Sequence, residues 1–223
     1  MLPIIFTDLS EVLIHGVFGI EERIEHYYGD SAATKFAKRK DEFQEPFEKL
    51  MRGCMTEDQF WDMFLGRGVW PFGVSEIKKL FSANLAEEIP GTFETYSNIT
   101  KYPASLKDGK KKRLDGRPEF WLISDHVKER EEELLSLHPE NFKFCSKHIW
   151  SYDEVAIKKD PAFFYRLIKK YSLDPEEILF IDDDMDNISA ASDVGIHTLW
   201  FRNYLHMKFV LRRQGFGFMK PDN

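Results

Sequence analysis

Cysteine is scarce in this chain: Cys54 and Cys145 are the only two, and no short spacing joins them into a metal knuckle or a redox pair. A reducing compartment, the cytoplasm, is the expected setting. Positive charge is in deficit as well. With 31 Lys and Arg against 38 Asp and Glu, the net charge is −7 and the pI about 5.6, which argues against a general affinity for nucleic acid. No apolar stretch approaches the length of a membrane span. The opening Met1-Leu2-Pro3 has neither the basic flank nor the apolar length of a signal peptide. Internal repeats and low-complexity tracts are missing too, so the expectation is a globular protein in solution, bound to neither nucleic acid nor membrane.

What the sequence has in quantity is apolar bulk. Hydrophobic residues make up 43% of the 223, with 20 Phe and five Trp among them, enough for one domain and a sizeable insertion. The basic run Lys110-Lys111-Lys112-Arg113 sits between Asp108-Gly109 and Asp115-Gly116 and reads as a solvated loop. Leu2 to Phe6 is a short apolar run without helical period, as in a buried parallel strand. From about Gly19 to Ala86 the apolar residues fall three and four apart, as at Phe36, Phe43, Phe47 and Leu50, which predicts helices. Thr56 and Gln59 have the spacing of a capping box at a helix start. A further helix is expected after Pro90-Gly91, up to Tyr102-Pro103.

Beyond the basic loop, strand and helix alternate. Strands are expected at 120–123, 142–145, 178–181 and 196–201, with helices at 127–137, after Asp160-Pro161, at 187–194 and at the end. Such alternation predicts an α/β fold with a doubly wound parallel sheet, whose ligands sit outside the carboxyl ends of the strands. Those ends hold Asp8 and Ser10, then Ser124 and Asp125, then Asp182, Asp183 and Asp184, with Lys158 and Lys159 just before a helix start. Crowded carboxylates repel unless a hard cation neutralises them, and Mg2+ suits an all-oxygen site that also takes a phosphate. A serine hydroxyl and free backbone N–H groups at a strand end suit a phosphate oxygen. The pieces so assembled fit phosphoryl transfer, with a small phosphorylated molecule as the expected substrate.

Four segments, in order, carry a resemblance: Ile4-Ile5-Phe6-Thr7-Asp8-Leu9-Ser10-Glu11-Val12-Leu13, Trp121-Leu122-Ile123-Ser124-Asp125, Lys158-Lys159-Asp160-Pro161, and Leu179-Phe180-Ile181-Asp182-Asp183-Asp184-Met185-Asp186-Asn187. Through them the chain resembles the haloacid dehalogenase (HAD) superfamily of hydrolases. The resemblance implies a Rossmann-like core at 1–16 and 89–223 and a small helical cap at 17–88. It implies that Asp8 is the nucleophile, forming an aspartyl-phosphate, and that Ser124, Asp125 and Lys158 contact the transferring group. Mg2+ would be held by Asp8, the Ser10 carbonyl, Asp183 and, in support, Asp182. Asn187 would organise the metal loop or its waters.

Two positions depart from the family's pattern. Ser10 stands where most of its phosphatases place an acid–base aspartate, a group typically worth roughly a hundred- to ten-thousandfold in rate, so slow turnover is expected. The same departure occurs in the family's metal-independent 2-haloacid dehalogenases, and a degenerate fold that only binds a ligand is a third reading. The acidic cluster favours the metal-dependent phosphatase. Asp125 replaces a common asparagine, and is expected to cap the helix that follows. His15 and His126 stay outside the catalytic set, His15 as a solvated residue and His126 as part of a helix's first turn.

Overall fold

The computed structural model describes residues 4–16, 19–66, 68–101, 118–214 and 216. The basic run at 110–113 and the break expected at Tyr102-Pro103 lie outside them. Among the described residues five strands occur: β1 (Ile4–Thr7), β2 (Glu119–Ser124), β3 (Cys145–Trp150), β4 (Ile178–Asp182) and β5 (His197–Trp200). They form one parallel sheet in the order β3-β2-β1-β4-β5, with β1 at its centre. Ile4 pairs in register with Glu119 on one side and Ile178 on the other. The strand order reverses beside β1, which makes its carboxyl end the natural crevice of the sheet.

The pleat sends successive β1 residues to opposite faces. Ile5, Leu122 and Ile181 join the core on one side, and Phe6, Trp121 and Phe180 the core on the other. Phe6 and Trp121 stack with ring centroids 5.3 Å apart. Full burial of each such side chain contributes about 1.5–3 kcal/mol. The first face is covered by α6 (Thr92–Lys101), α7 (Glu131–Leu137) and α11 (Tyr204–Arg213) through Tyr96, Leu134 and Met207. The second is covered by α9 (Pro161–Tyr171) and α10 (Met185–Asp193) through Phe163, Phe164 and Ala191. A short α8 (Ser151–Glu154) follows β3. Both faces are thus wound, as the alternation predicts.

Between β1 and α6 stand α1 (Glu21–Tyr28), α2 (Asp30–Glu42), α3 (Gln44–Met51), α4 (Glu57–Leu65) and α5 (Val74–Leu85). The capping box at the head of α4 is present in both directions, Gln59 N–H to Thr56 Oγ1 and Thr56 N–H to Gln59 Oε1. Phe36, Phe43, Phe47 and Leu50 do not lie on one helix. Pro46 in the first turn of α3 would clash with the carbonyl of residue 42 if α2 ran on, so the chain breaks at Phe43. Phe43 still packs edge-on to Phe64 at 5.2 Å, so the aromatic periodicity survives as packing rather than as one helix. No described helix is long and apolar enough to cross a membrane.

The expected strand at 142–145 is displaced. Asn141–Phe144 is a 3-10 turn, which buries Phe142 beneath Phe93, and the strand starts at Cys145. As the sheet's edge, β3 carries the polar Ser146, Lys147 and His148, and its pattern lacks the apolar run that marks the central strands. The expected helix at 127–137 begins as a 3-10 turn over Lys128–Arg130 before α7.

Candidate active site

Asp8 is the first residue past β1, and its N–H still donates to Ile181 O at 2.9 Å, so the ladder with β4 holds it beside Asp182. Oxygens of Asp8, Asp182 and Asp183 lie within 4.8 Å of one another. Lys158 Nζ enters this group at 2.5 Å from Asp8 Oδ1 and 2.8 Å from Asp182 Oδ2. Burial pushes the Asp8 carboxyl well above its ordinary range, Asp182 and Asp183 push the same way, and Lys158 opposes them. Burial alone would lower Lys158, but Asp182, Asp8 and Asp125 outweigh it and keep the ammonium charged. Lys159 points elsewhere, to an ion pair with Glu48. Asp160 explains the difference: its side chain accepts from Ala162 N and starts α9 with Pro161 at N1, which fixes the loop that carries Lys158 inward.

Asp182 is fully buried and saturated with donors. Its carboxylate accepts from Lys158 Nζ, from Asp184 N at 2.8 Å and from Asn187 Nδ2 at 3.1 and 3.2 Å. Asn187 therefore organises the loop after β4 by holding Asp182. Asp183 is only half-buried; burial and then Asp182 raise its pKa to about 6. Its carbonyl accepts from Trp200 Nε1 at 2.8 Å, which pins the turn from β5.

Ser124 is buried at the end of β2, with its hydroxyl donating to Asp125 O at 3.3 Å. Asp125 does not cap the next helix. Lys158 N–H donates to both its oxygens, at 3.2 and 3.3 Å, and the following 3-10 turn begins at Val127 without a side-chain cap. The side chain turned back across the sheet edge because Lys158 offers both a backbone donor and a positive charge there. Burial raises Asp125 to about 6, against the pull of Lys158. His126 is buried against the Trp150 ring, its pKa lowered by burial to about 4, and belongs to the core.

Past Asp8 the chain folds into a tight loop. Leu13 N and Ile14 N both donate to Leu9 O, Glu11 takes a left-handed φ of 56°, and Ser10 bridges to Ile14. Gly16 thereby lands on Ser10: a Cβ at Gly16 would lie 3.0 Å from Ser10 Cβ. The Glu11 carboxylate accepts from Gly16 N at 2.8 Å and lies 3.2 Å from His15 Nδ1. His15 is thus paired while its side chain stays 35% exposed. Asn84 on α5 fastens the loop by donating to Gly16 O at 2.8 Å, and His15 N donates to Glu87 O at 3.0 Å.

Sequence reasoning also missed the polar clamp between α4 and the turn before α7. Arg130 forks onto Glu57, Nε to Oε2 at 2.9 Å and Nη2 to Oε1 at 2.7 Å, with both residues buried. The partners are 73 residues apart, so no local spacing signals them.

The model of the haloacid dehalogenase-like hydrolase family matches residues 3–195. Drimenol cyclase DrtB of Aspergillus calidoustus is 25% identical over 214 residues, which are 95% of this chain and 32% of that protein. The chain thus spans about a third of that relative's length. Among solved structures, the magnesium-bound HAD-hydrolase YfnB of Bacillus subtilis aligns with a TM-score of 0.67 at 14% identity over 95% of this chain and all of that one. The HAD family enzyme BT-2542 of Bacteroides thetaiotaomicron, complexed with magnesium and inorganic phosphate, gives 0.59 at 17% over 91% and 96%. The L-2-haloacid dehalogenase of Xanthobacter autotrophicus with chloropropionic acid covalently bound gives 0.62 at 12% over 97% and 85%.

Proposed function

Because the chain belongs to the haloacid dehalogenase-like hydrolases, we propose that it hydrolyses a small phosphomonoester through an aspartyl-phosphate on Asp8, with Mg2+ as cofactor. One observation carries this reading: the carboxylates of Asp8, Asp182 and Asp183 crowd within 4.8 Å of one another, and the buried Lys158 ammonium pairs with two of them, Asp8 and Asp182. Three crowded carboxylates against one ammonium leave negative charge in excess, which is costly in a buried site and which a hard divalent cation relieves. The donor set fits magnesium, held by Asp8, Asp183 and the Ser10 carbonyl, with Asp182 in support. Bound there, the ion supplies positive charge that polarises a phosphoryl group and offsets the charge of the acids.

The chain's own residues do the rest. Lys158 favours the ionised Asp8 carboxylate and orients it through Oδ1, so that the other oxygen attacks phosphorus while the ester P–O bond breaks and the departing oxygen takes a proton from water. Ser124 Oγ and the N–H groups after β2 receive the phosphate oxygens. Asp125 fixes the backbone of Lys158 and touches substrate only through it. Residues 17–88 serve as a cap over a core made of 1–16 and 89–223, excluding water and selecting the substrate. The magnesium complexes of BT-2542 and YfnB support the cofactor, and BT-2542 with inorganic phosphate supports the substrate class.

A second reading comes from Ser10 and from the haloacid dehalogenase likeness: a metal-independent attack of Asp8 on a 2-haloacid. A panel of phosphomonoesters and 2-haloacids, assayed with magnesium and with a chelator, separates the two. Phosphate release that stops with the chelator, together with a phosphorylated Asp8-containing peptide by mass spectrometry, is the expected result. Halide release that persists in the chelator would replace the phosphatase by the dehalogenase.

A further inference from the structure

We propose that residues 17–88 are bolted to the core in one position, so that substrate is selected by a standing opening and not by a cap that swings shut. The inference rests on the reading of 17–88 as a cap, and it stands or falls apart from the phosphatase chemistry. The chain enters and leaves this segment through two linkers that pair with each other, Ile89 N donating to Leu13 O at 2.8 Å, and a hinge would lie there. A cap swings about such a hinge only if its far side is free of the core. Here the far side is fastened through three helices.

The end of α3 is tied to α8 and to the loop before α9. Ser151 Oγ, at the head of α8, donates to Met51 O at 2.5 Å and accepts from His126 N at 3.2 Å. One buried hydroxyl thus joins the cap to the segment that follows Ser124 and Asp125. Glu48, one turn earlier in α3, pairs with Lys159, the neighbour of Lys158. Gly53 has a φ of 68°, and a Cβ there would lie 3.0 Å from Tyr152 Cβ, so glycine is what lets the end of α3 close onto α8.

The start of α4 and the side of α5 are tied to the turn before α7. Arg130 forks onto buried Glu57, and its Nη1 also reaches Ser82 Oγ on α5 at 2.9 Å, so a single guanidinium spans two cap helices. Glu129 Oε1 accepts from Glu57 N at 3.2 Å beside it. Beneath these ties the apolar packing is continuous. Trp61, Phe81 and Leu85 of the cap belong to the same buried cluster as Ile5 and Leu122 of the sheet and Leu134 of α7. Swinging the cap away would break the buried fork and wet these side chains together. A segment held in this way admits substrate through a gap that the free protein already has.

The test measures distances by pulsed electron paramagnetic resonance between spin labels on Ser31→Cys in α2 and Lys169→Cys in α9, both exposed positions, with Cys54→Ser and Cys145→Ala removing the native thiols. The protein is read free and with magnesium and beryllium fluoride, while 19F NMR reports whether the beryllium fluoride adduct has formed. One narrow distance in the free protein, unmoved when the adduct forms, is the expected result. In Arg130→Lys, which keeps the charge but cannot fork onto Glu57, a second and longer distance should appear in the free protein. Two distances in the free protein with Arg130 intact, or a distance that shortens with the adduct, overturns the bolted cap. A single unchanged distance in Arg130→Lys overturns the part given to the fork. A narrow distance in a protein that forms no adduct supports the fastening and removes the phosphatase reading.

Discussion

Removing the guanidinium of Arg130 should destabilise the chain more than removing the carboxylate it clamps. In Arg130→Met, Glu57 stays 3% exposed with its charge uncompensated except by Lys78 at 3.7 Å and the Trp61 indole N–H at 3.0 Å. Breaking a buried pair by removing one partner costs about 3–5 kcal/mol, and the two residual partners put the expectation near the lower end, about 3 kcal/mol. In Glu57→Gln the Arg130 charge keeps Glu133 at 2.6 Å and Ser82 Oγ at 2.9 Å, so the loss is the smaller one of about 1–2 kcal/mol. Replacing both, as Glu57→Gln with Arg130→Met, strands neither member of the pair as a charge and should be less harmful than Arg130→Met alone. Urea unfolding followed by circular dichroism reads all four proteins. At about 2–4 °C per kcal/mol for a chain of this size, Arg130→Met should also melt about 6–12 °C lower. The reasoning fails if Arg130→Met lies within about 0.5 kcal/mol of wild type, or if the double variant shows the plain sum of the two single losses.

Lys158→Met leaves Asp8 and Asp182 buried without their shared cation; a loss of about 3–5 kcal/mol at neutral pH is expected in urea melts, shrinking as the medium is acidified and carboxylates protonate. Asp125 has a folded pKa raised to about 6 against roughly 4 unfolded. Its contribution is therefore full below the unfolded value and lost as pH rises through the folded one. Asp125→Asn, which can still accept from Lys158 N, should abolish a fall of about 2–3 kcal/mol between pH 4 and 7, read as the difference between the two pH–stability curves. Magnesium at about a hundredfold over its Kd should stabilise the wild type by about 2.7 kcal/mol in thermal melts. The effect should grow from pH 5 to 7 as Asp183, raised to about 6, gives up its proton, and should vanish in Asp183→Asn. A magnesium shift that survives Asp183→Asn would remove Asp183 from the metal ligands.

The central strands were legible because burial on both faces leaves continuous apolar runs, so Asp8, Ser124 and Asp182 could be located by counting from their ends. Local chemistry was legible as well: Thr56 with Gln59, and Asp160 with Pro161, are signals complete within four residues. The edge strand β3 was not, since one side of it meets solvent and Lys147 lies over the Trp121 ring instead of following an apolar pattern. Asp125 was misjudged for a related reason. Its position favoured a cap, but the donor that won lies 33 residues further on, at Lys158 N, and only the folded sheet brings it close. The Glu11–His15 contact is short in sequence, yet it depends on a left-handed residue within a loop, which no helical or strand period encodes.

The three clustered acids are not equivalent, and hydrogen bonding ranks them. Asp182 spends both oxygens on Lys158, Asp184 N and Asn187, so a ligand reaching it must displace donors that also shape the loop. Asp183 is half-buried, and Asp8 meets one ammonium, Lys158 Nζ, through its Oδ1. Lone pairs without donors are what a cation takes at least cost. On the magnesium-dependent reading proposed above, Asp8 and Asp183 are the carboxylates that would face the metal, in keeping with the one or two that magnesium commonly accepts. Asp182 stands behind them: it holds Lys158 beside Asp8, and its charge raises both neighbours, so that each keeps its proton more tightly until a cation offsets that charge.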